Sequence, residues 1–223
     1  MRVGLLVALT GCDSLLGLAH TIPADVQPQV PIDAPLCAMP VGDIDVFADT
    51  LTPCSSWGGP DNMNSSTSVS GGRLIIVPDA NQAATRGGCL AANYIPFEAN
   101  AGVFVEVTTL AGLDEYQTIA LQWDTDSTQM STIGFGPTIV FTRGATDFGG
   151  VPFDAALPWV RLRPNADRTA TIAERSSDAA TWRQFAIDQT KPPDSVKLFM
   201  YGGMFAPQTN PSRIYFDRLD ACP

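Results

Sequence analysis

Apolar and polar residues alternate with a period of two in short runs along most of the chain. The runs are RLIIV (73–77), GVFVEVTTL (102–110), QTIALQW (117–123), STIGF (131–135), TIVFT (138–142), WVRLR (159–163), TATIAE (169–174), VKLFMY (196–201) and RIYFDRL (213–219). Successive side chains of a strand point to opposite faces, so each run predicts a strand with one buried side. Between the runs lie SGG, WDTDS, RPNAD, RSSDA and TKPPD, rich in residues that set turn backbones. No stretch of the domain sustains the 3.6-residue rhythm of an amphipathic helix. Short strands separated by tight turns predict an all-β fold, an antiparallel two-sheet β-sandwich of jelly-roll type, over 37–223.

Charged residues make up only 16% of the chain, too few to clothe long surface helices, which strengthens the all-β expectation. The formal net charge of −10 argues against nucleic acid as a partner and against direct docking on anionic lipid, because both need a basic surface. The one histidine, His20, precedes the predicted domain. A Ser-His-Asp or Cys-His hydrolase and an HExxH metal site are therefore excluded from the folded part, since each requires imidazole.

The first residues have their own pattern. Met1-Arg2 supplies a positive end and Val3 to Leu9 an apolar run, the layout of an export signal. The run falls far short of the roughly 20 apolar residues that span a bilayer. Leu9-Thr10-Gly11-Cys12 resembles the bacterial lipobox, and that resemblance implies cleavage before Cys12 and acylation of its thiol. A rival reading cuts after Gly17-Leu18-Ala19 and releases a soluble secreted protein; Asp13 interrupts the longer apolar run this needs. The third alternative is a buried N-terminal segment. The prolines at 23, 28, 31 and 35 make Thr21 to Pro35 an extended tether. The expected organisation is a signal peptide at 1–11, a lipidated cysteine with its tether at 12–36, and the sandwich at 37–223. The expected location is a bacterial cell envelope, with attachment to the membrane through lipid and secretion as the alternative.

With Cys12 set aside, Cys37, Cys54, Cys89 and Cys222 form an even set in an exported chain, which predicts two disulfides. Of the three possible pairings we favour Cys37–Cys222, which flank the domain, and hence Cys54–Cys89. A metal site is the rival use of these thiols, but no CxxC pair or domain histidine supports it.

The passage from Trp159 to Phe185 narrows the fold. Its pattern of W-x-R-L-R, turn, strand, then S-x-D-x-x-x-W resembles concanavalin A-like sandwich domains, the laminin-G-like and DUF1349-type modules of bacteria. Asp45 to Trp57 looks like their opening strand and Ile214 to Cys222 like their closing one. Such turns often carry Gly after the Asp, whereas here Ala179 follows Asp178.

Domains of this kind include lectins, accessory modules of glycosidases and true glycosidases, and fold alone does not choose among them. The hydrolases carry a Glu-x-Asp-x-Glu strand, and none of the four glutamates, Glu98, Glu106, Glu115 and Glu174, begins such a motif. Glu106 and Glu174 are the carboxylates an enzyme reading would use; for Glu174 the competing role is a cross-strand ion pair with Arg161. Glycan binding needs aromatic faces and hydrogen-bonding groups on one surface. Tyr116, Thr118 and Gln122 share a strand face, and so do Trp159, Arg161 and Arg163, which makes Tyr116, Gln122, Trp159, Arg161 and Arg163 the candidate ligand contacts. Trp123 and Trp182 are expected in the core. Asp124 and Asp126 in WDTDST, like Asp43 and Asp45, are candidates for structural calcium, with turn formation as the alternative. The reading that results is a lipid-anchored module that binds glycan or envelope polymer without catalysis and has no cofactor beyond a possible structural calcium. Its alternatives are a module that docks other envelope proteins and a glycoside hydrolase.

Overall fold

Alternation in the sequence becomes strand in the structure, a computed structural model that describes residue 54 and residues 60–70, 73–98, 102–112 and 114–222. The strands are β1 (Ser65–Ser70), β2 (Arg73–Pro78), β3 (Thr85–Leu90), β4 (Ile95–Pro96), β5 (Gly102–Glu106), β6 (Glu115–Trp123), β7 (Met130–Phe135), β8 (Thr138–Arg143), β9 (Thr146–Pro152), β10 (Trp159–Pro164), β11 (Thr171–Ser176), β12 (Arg183–Asp188), β13 (Ser195–Met204), β14 (Ile214–Phe216) and β15 (Arg218–Cys222). The described residues contain no helix. Every pairing is antiparallel.

The large sheet has seven strands in the order β3-β13-β6-β7-β8-β9, with β4 also paired to β13. The second sheet has five, ordered β12-β11-β10-β5-β15, and a small sheet has three, β1-β2-β14. Their inward residues form one core. Ile119, Leu121, Ile133, Phe141, Leu198 and Met200 come from the large sheet, and Val103, Val105, Val160, Leu162 and Ala173 from the second. Leu74, Ile76, Ile214 and Phe216 of the small sheet, all 0% exposed, join them. At about 1.5–3 kcal/mol for each large aliphatic or aromatic side chain removed from water, this shared core is the main term holding the sheets face to face.

One predicted strand is two. RIYFDRL divides at Asp217: β14 pairs with β2, and β15 leaves for β5 in another sheet. Asp217 pins the crossover. Its carboxylate accepts from the Thr108 backbone N–H (3.2 Å) and hydroxyl and pairs with Arg73. With its N–H donating to the Glu106 carbonyl of β5 at 3.3 Å, Asp217 is fixed on both sides at the point where the chain passes from one sheet to the other.

The alternation pattern also misses β1, β3, β4, β9 and β12. β1 is nearly all polar, and β3 (TRGGCL) puts glycines where alternation would need a side chain. Cys54 and Cys89 are joined by a disulfide with a Cα–Cα distance of 5.4 Å. Cys12, Cys37, Asp43, Asp45 and the segments 1–11 and 12–36 lie outside the described residues; Cys222 ends β15, opposite Gly102.

Candidate functional site

The outward face of the large sheet holds a cavity of about 440 Å³ that runs from β3 across β13 and β6 to β7. Alternation along β6 sends Ile119, Leu121 and Trp123 into the core, which leaves Tyr116 and Thr118 facing outward. On β13 the buried Leu198 and Met200 leave Tyr201 facing outward in the same way. Register places Thr118 beside Tyr201 and Tyr116 beside Gly203, and beyond them Gly203 lies beside Arg86 on β3.

Gly203 decides how Tyr116 lies. A Cβ there would come 2.0 Å from the Thr85 carbonyl oxygen and 2.8 Å from the Tyr116 hydroxyl. Without one, the phenol crosses β13 and donates to the Thr85 carbonyl at 2.9 Å. Tyr116 and Tyr201 meet edge to face, with ring centroids 6.0 Å apart and planes at 75°. Phe205, just past β13, lies 4.7 Å from Tyr116 and is 71% exposed. Thr118 and Thr132 line the same cavity.

The far wall is stapled in place. Asp61 N–H donates to the Gly88 carbonyl (3.0 Å), and Met63 and Arg86 exchange backbone hydrogen bonds at 2.7 and 2.9 Å. The Cys54–Cys89 disulfide ties the preceding chain to the same strand. This wall presents the exposed Met63 and an ion pair, Arg86 Nη2 to Asp61 Oδ2, of 2.9 Å. Burial raises the pKa of both tyrosines, for Tyr116 with a further rise from Tyr201 and partial opposition from Arg86. Both phenols therefore stay protonated at neutral pH and keep their donors. The cavity offers three aromatic rings, two phenols, two threonine hydroxyls and a neutralised ion pair.

Of the residues selected from sequence, Tyr116 is in this cavity. Gln122 shares its strand face but stands six residues along, roughly 20 Å away. Its amide donates to the Ser127 carbonyl at 2.7 Å, in the turn after β6.

Trp159, Arg161 and Arg163 sit on the second sheet. Alternation sets them opposite Val160 and Leu162, yet both arginines are 6% exposed. Glu174 lies directly across from Arg161 and accepts four hydrogen bonds: Arg161 Nε (2.9 Å) and Nη2 (2.6 Å) and Arg163 Nε (2.9 Å) on Oε2, and Arg163 Nη2 (3.0 Å) on Oε1. The Trp182 ring stacks 4.2 Å from the Arg161 guanidinium, and Phe104 contacts both Trp159 and Trp182. Burial lowers the Arg161 pKa, against the opposing pull of Glu174. Where a polar-aromatic ligand face is expected, the structure has a buried ion cluster in which both arginines bond to Glu174.

Asp126 braces its own turn, and Asp124 ties that turn to a distant side chain. Asp126 Oδ1 accepts from the Thr128 N–H (2.9 Å) and hydroxyl (2.7 Å), bonds that lower its pKa. Asp124 Oδ2 accepts from the Ser195 hydroxyl at 2.7 Å. No cluster of three or more metal-ligating side chains occurs among the described residues. Trp123 is 8% exposed, and its Nε1–H donates to Ser131 at 3.0 Å.

Sequence reasoning did not select Tyr201, Phe205, Arg86, Asp61 or Met63. Tyr201 was within reach, because VKLFMY alternates cleanly and leaves Tyr201 outward. Arg86 carries no such signal because β3 is glycine-rich, and Asp61 and Met63 carry none because they lie outside any strand and reach β3 through backbone bonds to residues more than 20 positions away.

The sequence matches no family model and no curated protein. Solved structures do resemble the fold. The metal-free form of the Emp46p carbohydrate recognition domain superposes with a TM-score of 0.53 at 11% identity, covering 79% of this chain and 93% of that one. The apo Crh5 transglycosylase gives 0.53 at 13%, covering 77% and 81%. The carbohydrate-binding module CBM66 from Bacillus subtilis gives 0.46 at 11%, covering 74% and 97%. The fold is a concanavalin A-like sandwich. The cavity lies on the outward face of the largest sheet of this sandwich, and the architecture expected from the Trp159 to Phe185 passage is the one observed.

Proposed function

We propose that this chain is a glycan-binding module that acts without catalysis, and that acylation of Cys12 holds it at a bacterial envelope. The observation that carries the binding half is the cavity itself. Tyr116, Tyr201 and Phe205 offer aromatic surface for the C–H faces of a sugar, with Thr118, Thr132 and the Arg86–Asp61 pair at hand for its hydroxyls. A fold shared with a carbohydrate recognition domain agrees with this use. The non-catalytic half rests on Glu174. Both its oxygens are held by guanidinium groups, on the sheet that does not bear the cavity. The lipid half rests on Leu9-Thr10-Gly11-Cys12 alone.

A polysaccharide array probed with the full chain carrying Cys12→Ala tests the first claim. Retention of at least one glycan is expected, with loss in Tyr201→Ala. Silence across plant, fungal and bacterial polysaccharides would transfer the cavity to a protein partner, the competing envelope role. Release of reducing ends from a bound polymer would instead make the protein a hydrolase. Labelled fatty acid should enter the exported chain and should not enter Cys12→Ala; equal labelling of the two would end the anchor proposal.

A further inference from the structure

We infer, on the basis of that glycan reading, that the cavity takes an uncharged oligosaccharide of about two or three sugar rings laid across the strands, rather than a single sugar or an acidic polymer. Its reach gives the length. The lining runs from Arg86 on β3 to Thr132 on β7, which spans three strand spacings, about 14 Å. The aromatic rings already in it stand with centroids 4.7 to 6.0 Å apart, so the same span holds about two or three rings of that size in line. Phe205, at 71% exposure, extends the platform past the end of β13 and gives an outer ring something to lie against.

Charge sets the class. Arg86 is the charged residue in the lining, and Asp61 already holds its Nη2 at 2.9 and 3.2 Å. A uronate carboxylate would have to displace Asp61 and leave that carboxylate unpaired. A sugar hydroxyl can donate to one partner and accept from the other with the pair intact. The rest of the lining is hydroxyl, phenol and apolar side chain, with no second cation to neutralise an acidic unit. The chain as a whole, at −10, repels a polyanion before contact.

Calorimetry on the full chain with Cys12→Ala tests this, using neutral gluco-, manno-, galacto- and xylo-oligosaccharides from one to four units and oligogalacturonates of matched length. Affinity for the neutral ligand should rise at least tenfold from one to three units, level off at four, and hold between about 50 and about 200 mM salt, where contacts that release counterions weaken steeply. Phe205→Ala should weaken the trisaccharide about tenfold and the monosaccharide by a smaller factor, whereas Phe205→Tyr should restore both. A monosaccharide that binds as tightly as the trisaccharide would overturn the length. An oligogalacturonate that binds more tightly than its neutral counterpart, with an affinity abolished by salt and by Arg86→Ala, would overturn the class. Either result leaves glycan binding standing. Failure of every glycan, with the fold intact by circular dichroism, would remove the underlying reading and this inference with it.

Discussion

On the outward side of the large sheet, Tyr116, Tyr201 and Arg86 stand around open space; on the outward side of the second sheet, Trp159, Arg161 and Arg163 are packed over Glu174 and Trp182. Both sets combine aromatic rings, guanidinium and carboxylate, and in both the strand aromatics, Tyr116, Tyr201 and Trp159, face outward through period-two alternation. Their neighbours separate them. Across β13 the strand partners of Tyr116 and Tyr201 include Gly203 and Gly88, which leave the rings room to lie over backbone. Across β10 the partners of Arg161 are Phe104 and Glu174, which fill the space and supply the counter-charge. At Tyr116 and Tyr201 a small cross-strand partner leaves the ring open to a ligand; at Arg161 one large and one oppositely charged partner close the site.

The sharpest way to break the comparison is to remove the closed face's anion. Glu174→Gln leaves two buried guanidiniums without a counter-charge, and loss of one partner from a buried pair costs about 3–5 kcal/mol. Urea denaturation should show a loss of that size, while the protein that remains folded binds glycan as before. A loss below about 1 kcal/mol would mean the cluster is solvated and available, and the two faces would then be alike.

The disulfide tests the open face. Cys54 and Cys89 are 35 residues apart, and in the chain-entropy model a loop of that length contributes about 3–4 kcal/mol. Reduction, or Cys54→Ser with Cys89→Ser, should lower stability by that order. It should also weaken ligand binding, because the wall that carries Asp61 and Met63 loses its crosslink to β3. Glu174→Gln should do only the first of these. Equal affinity before and after reduction would show that the backbone hydrogen bonds of 61–63 hold the wall unaided.

These two faces also mark what the sequence makes legible. Alternation in QTIALQW, VKLFMY and WVRLR identifies which residues face outward, and the turn-forming aspartates are readable from WDTDST. Whether an outward residue is open or covered depends on strand register, and register is set between segments distant along the chain. Arg161 meets Glu174 because a hairpin pairs them, 13 residues apart; Tyr116 meets Gly203 and Thr85 only once β6, β13 and β3 have aligned. RIYFDRL shows the same limit, since its break at Asp217 depends on Thr108 and Arg73, over a hundred residues upstream.

Two glycines on the open face should respond in opposite ways. Alanine at Gly203 places its Cβ 2.0 Å from the Thr85 oxygen, a backbone clash that a side-chain rotation cannot relieve, and should cost about 1–3 kcal/mol while it dislodges the Tyr116 phenol. Gly134, beside Thr118, has nothing within 4 Å of the corresponding position. Gly134→Ala should therefore keep stability within about 0.5 kcal/mol of the parent, and a change in ligand affinity would show that a bound glycan reaches the sheet surface beside Thr118. If both variants are equally stable, the small-partner account of the open face fails.

The one expected gain in stability, a small one, belongs to the turn that presents Trp182 to the closed face. Asp178 Oδ1 gathers the Ala180 and Thr181 N–H groups at 2.8 and 2.7 Å and the Ser176 hydroxyl at 2.8 Å, which lowers the Asp178 pKa to about 2. To close this turn Ala179 adopts φ +55°, where a Cβ crowds the following carbonyl at a cost of roughly 1–2 kcal/mol. Glycine removes that cost but adds about 0.5–1 kcal/mol of unfolded-state entropy. Ala179→Gly should therefore stabilise the domain by a few tenths to about 1 kcal/mol, seen as a rise in denaturation midpoint at unchanged slope. Because Trp182 packs on Arg161 and away from the cavity, glycan affinity should not change. A destabilised variant would mean that the alanine methyl makes packing contacts worth more than the backbone strain, and an altered affinity would mean that the closed face communicates with the open one.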